Sequence, residues 1–155
     1  MTLTDTPTPV IARRGALLAG GVGVLGLALG IAPEAEAATI TRRLNRTAIY
    51  RTARSGIGVR YRWAGTSRSG WDCSGFTMWV YKQHGVSLPH TVSGQAAMGR
   101  RISKAQAVRG DLVVWPGHHV GIYAGNGRLI DAGSSRTNTT ERRIWGSPRF
   151  YRIGR

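Results

Sequence analysis

Apolar residues recur at helical spacing early in the chain and at strand spacing later. Over residues 40–54, Ile40, Leu44, Ala48 and Ile49 share one side of a helix and arginines take the other, and Ser55-Gly56 ends it. Over residues 74–84, Phe76, Val80 and Tyr81 point inward and Gly85 supplies the stop. Gly65 to Gly70 (GTSRSG) reads as a turn or loop, and a third, short helix covers residues 92–98 after Pro89. Beyond Gly110 the pattern changes. Leu112 to Trp115 is a β run stopped by Pro116-Gly117, and His119 to Ala124 is a second. Gly125-Asn126-Gly127 marks a tight hairpin, Arg128 to Ala132 the returning strand, and Arg149 to Ile153 a final strand. Helices first and an antiparallel meander afterwards describe an α+β domain, with N-terminal helices packed on a C-terminal antiparallel sheet.

The first 37 residues follow neither pattern. They contain no aromatic residue, whereas every Trp, Tyr and Phe lies at Tyr50 or beyond. A polar start leads to Arg13-Arg14, then to an apolar, Gly-rich run from Gly15 to Ala32, then to Ala35-Glu36-Ala37. A basic region, an apolar region and a small-x-small site make a secretory signal. The arginine pair resembles a twin-arginine signal. Residues 1–37 are therefore expected to be a signal peptide and 38–155 the mature domain. The alternative is an uncleaved membrane anchor, for which the run is short and rich in glycine. Either way the domain is expected outside the cytoplasm, and after cleavage no membrane contact is expected.

Composition sharpens this picture. The chain has 155 residues, 41 % of them apolar, which suits one globular domain. The net charge is +15, from 22 basic and 7 acidic residues. Without Arg13, Arg14, Asp5, Glu34 and Glu36 it becomes +16, and only Asp72, Asp111, Asp131 and Glu141 remain as acids. Each surviving carboxylate is expected to have a specific job. So basic a domain suits polyanions, and for an exported one these are anionic cell-wall polymers. Charge alone suits DNA equally, but the export signal and the lack of a nucleic-acid motif set nucleic acid aside. The single cysteine excludes an intramolecular disulfide and a cysteine-rich zinc cluster.

That cysteine, Cys73, stands in Trp71-Asp72-Cys73-Ser74-Gly75 at a loop-to-helix junction. A helix N-terminus presents free N–H groups and partial positive charge, which suits an anionic nucleophile. The plain alternative is a buried small hydrophobe, although Asp and Ser neighbours do not suit an apolar pocket. A thiolate nucleophile needs a base beside it. Of the four histidines, His84 reads as a helix C-terminal partner and His90 as a loop residue that lines a cleft. His118 and His119 open a strand whose alternation sends them to opposite faces, and His119 is favoured. The base in turn needs an orienting group. Asp131 lies one hairpin away: pairing Tyr123 with Leu129 sets it opposite Gly121, and a shift of two sets it beside His119. Equally, Asp131 reads as a strand-end turn residue before Gly133. Asp111 reads as structural, in the turn that feeds the first strand.

Gly58-Val59-Arg60-Tyr61-Arg62-Trp63-Ala64-Gly65, Asp72-Cys73-Ser74-Gly75-Phe76, Leu88-Pro89 with Gln95, Arg109 to Val113, and His119 to Gly127 follow one another in order. Together they resemble the NlpC-type cell-wall endopeptidases, over residues 42–153. The resemblance implies a minimal papain-like fold and hydrolysis of peptidoglycan stem peptides, commonly after the γ-linked D-glutamate. It makes Cys73 the nucleophile and His119 the base, and maps the third polar residue to Asp131, where the family often has His. Tyr61 and Asp72 map to pocket-shaping positions, and Trp63 and Ser74 beside them are further substrate-binding candidates. Asp72 is expected to accept hydrogen bonds from a cationic stem-peptide amine. Arg60, Ala64 and His90 depart from a frequent Pro, Gly and Arg. No metal or organic cofactor is implied, and a monomer is expected. A muramoyl–L-Ala amidase or acyl transferase on the same fold, and a non-catalytic cationic wall-binding protein, are the competing functions.

Overall fold

The computed structural model describes residues 43–134 and 136–154. The expected signal segment and the start of the first expected helix lie outside them. Helix α1 spans Arg46–Ser55, shorter than its periodicity suggests. Asn45 takes the cap, accepting a hydrogen bond from the Ala48 N–H, so Leu44 packs on the core from outside the helix. The loop reading of GTSRSG resolves into a two-residue hairpin, β1 (Thr66–Ser67) with β2 (Gly70–Trp71). Helix α2 spans Cys73–Lys82 and α3 spans Val92–Ala97. His84, expected as a charged partner of the α2 C-terminus, instead pairs its Nε2 with Thr52 Oγ1 at 2.9 Å, and burial pulls its pKa down.

Six strands form one antiparallel sheet: β3 (Gly99–Ile102), β4 (Leu112–Trp115), β5 (His119–Gly125), β6 (Arg128–Ser134), β7 (Thr137–Arg143) and β8 (Arg149–Ile153). Their order is β3-β8-β4-β5-β6-β7. The meander is as expected; β3 and β7 are two strands beyond it. β3 (GRRI) is too short and basic to signal a strand, and β7 (TNTTERR) lacks apolar alternation because it runs along the outside.

Alternation along the strands feeds two clusters. Leu112, Val114, Val120, Ile122, Ile130 and Ala132 join Ile49, Phe76, Val80 and Tyr81 of the helices in the main core. Val113, Tyr123, Leu129, Phe150 and Ile102 form the second. Trp71 is fully buried in the main core, and its indole N–H donates to Thr139 Oγ1 at 2.7 Å. The Gly58 N–H donates to the Thr139 carbonyl and the Thr139 N–H to the Val59 carbonyl, so the segment before the cysteine is stitched onto β7. Asp111 is fully buried beneath Arg46 and Arg152, which ties β4 to α1 and β8 and fits its structural reading.

Candidate active site

Cys73 is the first residue of α2, and its cap is Asp72. One carboxylate oxygen of Asp72 accepts from the Gly75 N–H at 2.7 Å, Ser74 Oγ at 3.0 Å and His90 Nε2 at 3.0 Å. The other accepts from the Ala64 N–H at 3.1 Å. Three donors crowd Oδ1 and one reaches Oδ2, so the acceptor site that remains for a substrate amine is on Oδ2. Gly75 is fixed by the same packing: a Cβ there would stand 1.9 Å from the Gly65 carbonyl oxygen, so the loop crosses the helix start only over a glycine.

The partially exposed cysteine opens into a cleft of about 440 Å3, walled by Tyr61, Trp63, Asp72, Ser74, His90 and His119. Trp63 is 81 % exposed at its rim. Burial, with the negative charges of Cys73 and Asp72, pushes the Tyr61 phenol above its usual range, so Tyr61 faces the cleft as a neutral donor.

His119 opens β5. Its Nε2 lies 2.5 Å from Asp131 Oδ2, and its ring shares the cleft with Cys73. With Nε2 on the carboxylate, Nδ1 is the nitrogen left for sulfur, the reverse of the simplest assignment from sequence. His118 precedes the strand, exposed in the turn after Gly117; its ring also lines the cleft but holds no hydrogen bond among the described residues.

The register is the unshifted one. Tyr123 pairs with Leu129 and Ile122 with Ile130, which carries Asp131 across from Gly121 and diagonal to His119. A Cβ on Gly121 would lie 3.0 Å from that of Asp131. The missing side chain lets the carboxylate lean along the sheet to the imidazole. Asp131 sits within β6, not at its end, and is fully buried.

Sequence reasoning missed the second partner of Asp131. Arg142 on β7 donates from Nε to Oδ1 at 2.9 Å and from Nη2 to Oδ2 at 2.5 Å, a two-pronged clamp. Thr140 faces Asp131 directly and Arg142 faces Leu129, so the clamp is again diagonal. The Arg142 guanidinium lies 4.2 Å from the Trp145 ring, which stacks on Trp115 at 4.1 Å, and both indoles flank His119. The signal available in the sequence was an arginine on the next strand; a search confined to carboxylates and histidines passes over it.

Burial raises the Asp131 pKa, but hydrogen bonds and charges from His119 and Arg142 outweigh it and hold the carboxyl below its usual range. Burial lowers the His119 pKa, yet its interactions with Asp131 and Cys73 push it up to about 9. At neutral pH the imidazole thus carries both protons.

Known proteins share this arrangement's framework. A "Probable endopeptidase" of Corynebacterium glutamicum (strain R) is 40 % identical over 112 residues, covering 71 % of this chain and 53 % of that relative. The chain therefore spans about half the length of this curated relative. A "Gamma-D-glutamyl-L-lysine dipeptidyl-peptidase" of Bacillus cereus is 38 % identical over 86 residues, covering 51 % of this chain and 26 % of the relative. Among solved structures, the NlpC/p60 domain of the peptidoglycan hydrolase SagA superposes with a TM-score of 0.65 at 38 % identity, covering 69 % of this chain and 97 % of that one. This bears out the α+β, papain-like expectation. The profile of the NlpC/P60 family matches residues 58–150. With that match spanning more than half of its length, the chain belongs to the NlpC/P60 family.

Proposed function

We propose that this domain is a secreted cysteine peptidase that hydrolyses peptidoglycan stem peptides, at the bond between D-γ-glutamate and the following diamino acid. The cleft shared by Cys73 and His119, with His119 bonded to Asp131 behind it, carries this reading. The thiolate of Cys73 attacks the scissile carbonyl carbon, forming the C–S bond. Backbone N–H groups at the start of α2 face the resulting oxyanion. The His119 imidazolium gives its proton to the leaving amine as the C–N bond breaks. The now neutral imidazole takes a proton from water, whose oxygen attacks the thioester and releases the acid and the thiolate. Asp131 keeps the ring in register and stabilises its positive charge, while Arg142 holds Asp131 in place. Export through residues 1–37 brings the domain to its substrate.

Incubation of the mature domain with purified peptidoglycan, followed by product masses, tests this directly. Fragments split after γ-D-glutamate are expected. Release of intact stem peptides from muramic acid indicates the amidase, and transfer to an added amine the acyl transferase.

The orienting group gives a graded test. Asp131→Asn keeps an acceptor but loses the charge, and Asp131→Ala loses both. Activity is expected to fall in that order, with Asp131→Ala down roughly 10- to 1000-fold. The carboxylate is also one of the causes of the high His119 pKa. The alkaline limb of the rate profile, near about 9 in the parent, should move to lower pH in Asp131→Asn. An unmoved limb and parental kinetics in folded Asp131→Ala would remove Asp131 from the mechanism. Glu141 is not its substitute, being paired with Arg128 at 2.9 Å.

Attachment to intact walls should weaken as salt rises, because screening contracts the reach of a charge from about 10 Å at 0.1 M to about 3 Å at 1 M. Sedimentation of the Cys73→Ala protein with walls measures this. Retention that ignores salt would mean an uncharged contact.

A further inference from the structure

A second concave site lies on the edge of the sheet, where β3 and β8 run side by side. It holds about 400 Å3 between two loops, and Arg101, Lys104 and Arg149 line it together with Ser147. All three cations are exposed, and none has a hydrogen bond or ion pair among the described residues. Among the described residues no carboxylate lines this groove. The basic cluster around Arg46 and Arg152 differs, because Asp111 neutralises much of it. Each acid of the mature region is engaged away from the groove: Asp72 with His90, Asp111 with Arg46 and Arg152, Asp131 with His119 and Arg142, Glu141 with Arg128. The groove's positive field is therefore uncompensated among the described residues. Its outer loop also reaches the catalytic face. Trp145, whose neighbours Ile144 and Gly146 line the groove, lies 5.6 Å from the His119 ring.

We propose that this groove is an anchoring site for an anionic, phosphodiester-linked polymer attached to the cell wall. Two guanidinium forks, an ammonium group and a hydroxyl suit the oxygens of a phosphodiester, whose single charge recurs along a chain. The catalytic cleft stays open while the polymer is held, and the connection through Trp145 keeps the anchored wall next to the nucleophile. The inference rests on the wall-directed reading above, but not on the peptidase chemistry.

Binding is measured with the Cys73→Ala protein, so that the wall is not digested. The probes are purified walls with their phosphodiester polymers intact, and the same walls after hydrofluoric acid has removed them. The groove variant is Arg101→Ser/Lys104→Ser/Arg149→Ser. The charge-matched control is Arg51→Ser/Lys82→Ser/Arg143→Ser, at exposed positions elsewhere. Thermal unfolding, which needs no catalysis, verifies that both are folded. The groove variant should lose about 10- to 100-fold in affinity for intact walls, with a shallower salt dependence. The control should change far less, and stripped walls should bind parent and groove variant alike. Equal losses in both variants would overturn the site in favour of diffuse charge. Groove-dependent binding that survives stripping would overturn the phosphodiester. Hydrolysis of soluble muropeptides by the Cys73-containing groove variant should match the parent. A parent that binds walls through the groove yet cleaves nothing would fault the peptidase reading alone.

Discussion

Replacing Cys73 with alanine is expected to abolish muropeptide cleavage while leaving the fold intact. The proposed mechanism has no second nucleophile: the chain's only thiol stands at the head of α2, and a general base without an acceptor for the acyl group has no thioester to resolve. The fold should survive because the cap belongs to Asp72, and what Thr77 uses of residue 73 is its backbone carbonyl. Serine in its place should fail almost as completely, since a hydroxyl is far less acidic than a thiol. Product masses from digested peptidoglycan, paired with thermal unfolding of both variants, give the measurement. Near-parental turnover by Cys73→Ala would end the cysteine-peptidase reading. An undiminished effect of that variant on cells would support the non-catalytic wall-binding alternative.

The second large effect separates two adjacent imidazoles. His119→Ala should be severely impaired and His118→Ala much less so. His119 packs beside the stacked Trp115–Trp145 pair and is bonded to Asp131, whereas His118 is exposed in the turn. The reverse ranking in a cleavage assay would assign the base to His118. His119 also makes stability depend on pH. Its folded pKa of about 9 lies above the ordinary imidazole value of 6.5. The ion pair's contribution is then complete below about 6.5 and fades as pH rises to about 9, because the unfolded chain releases that proton first. His119→Ala should flatten the decline of the unfolding midpoint across this window.

Much of this site was legible because its parts lie in short, strongly patterned stretches. The Gly125-Asn126-Gly127 turn fixes the pairing of β5 with β6, and that register sets Asp131 two residues along from the point opposite His119. Whether a diagonal carboxylate reaches the ring depends on the empty space at Gly121, which a pattern of apolar and polar positions does not encode. Arg142 and Trp145 were hidden for a different reason. β7 is polar along its length, and what makes it a strand is its ladder with β6 and the stitch from Thr139 to Gly58 and Val59. Those are tertiary contacts with distant partners. The start of α1 was misread because periodicity continues past the point where Asn45 caps the helix.

The crowding around Asp72 bears on how this cleft can change over generations. Its carboxylate ties together three separate stretches of the chain: the loop at Ala64 and the start of α2 through backbone N–H groups, and the loop that carries His90 through that side chain. Position 90 answers to it only through one N–H. Histidine, or an arginine in its place, offers such a group, so the two are interchangeable there without disturbing the other walls. Glutamate or leucine is not, and would remove this tie, leaving the Gln95 amide on the Pro89 carbonyl to hold the loop. What the cleft requires of position 90 is a proton aimed at Asp72, and the side chain that delivers it can differ and reshape the rim as it does.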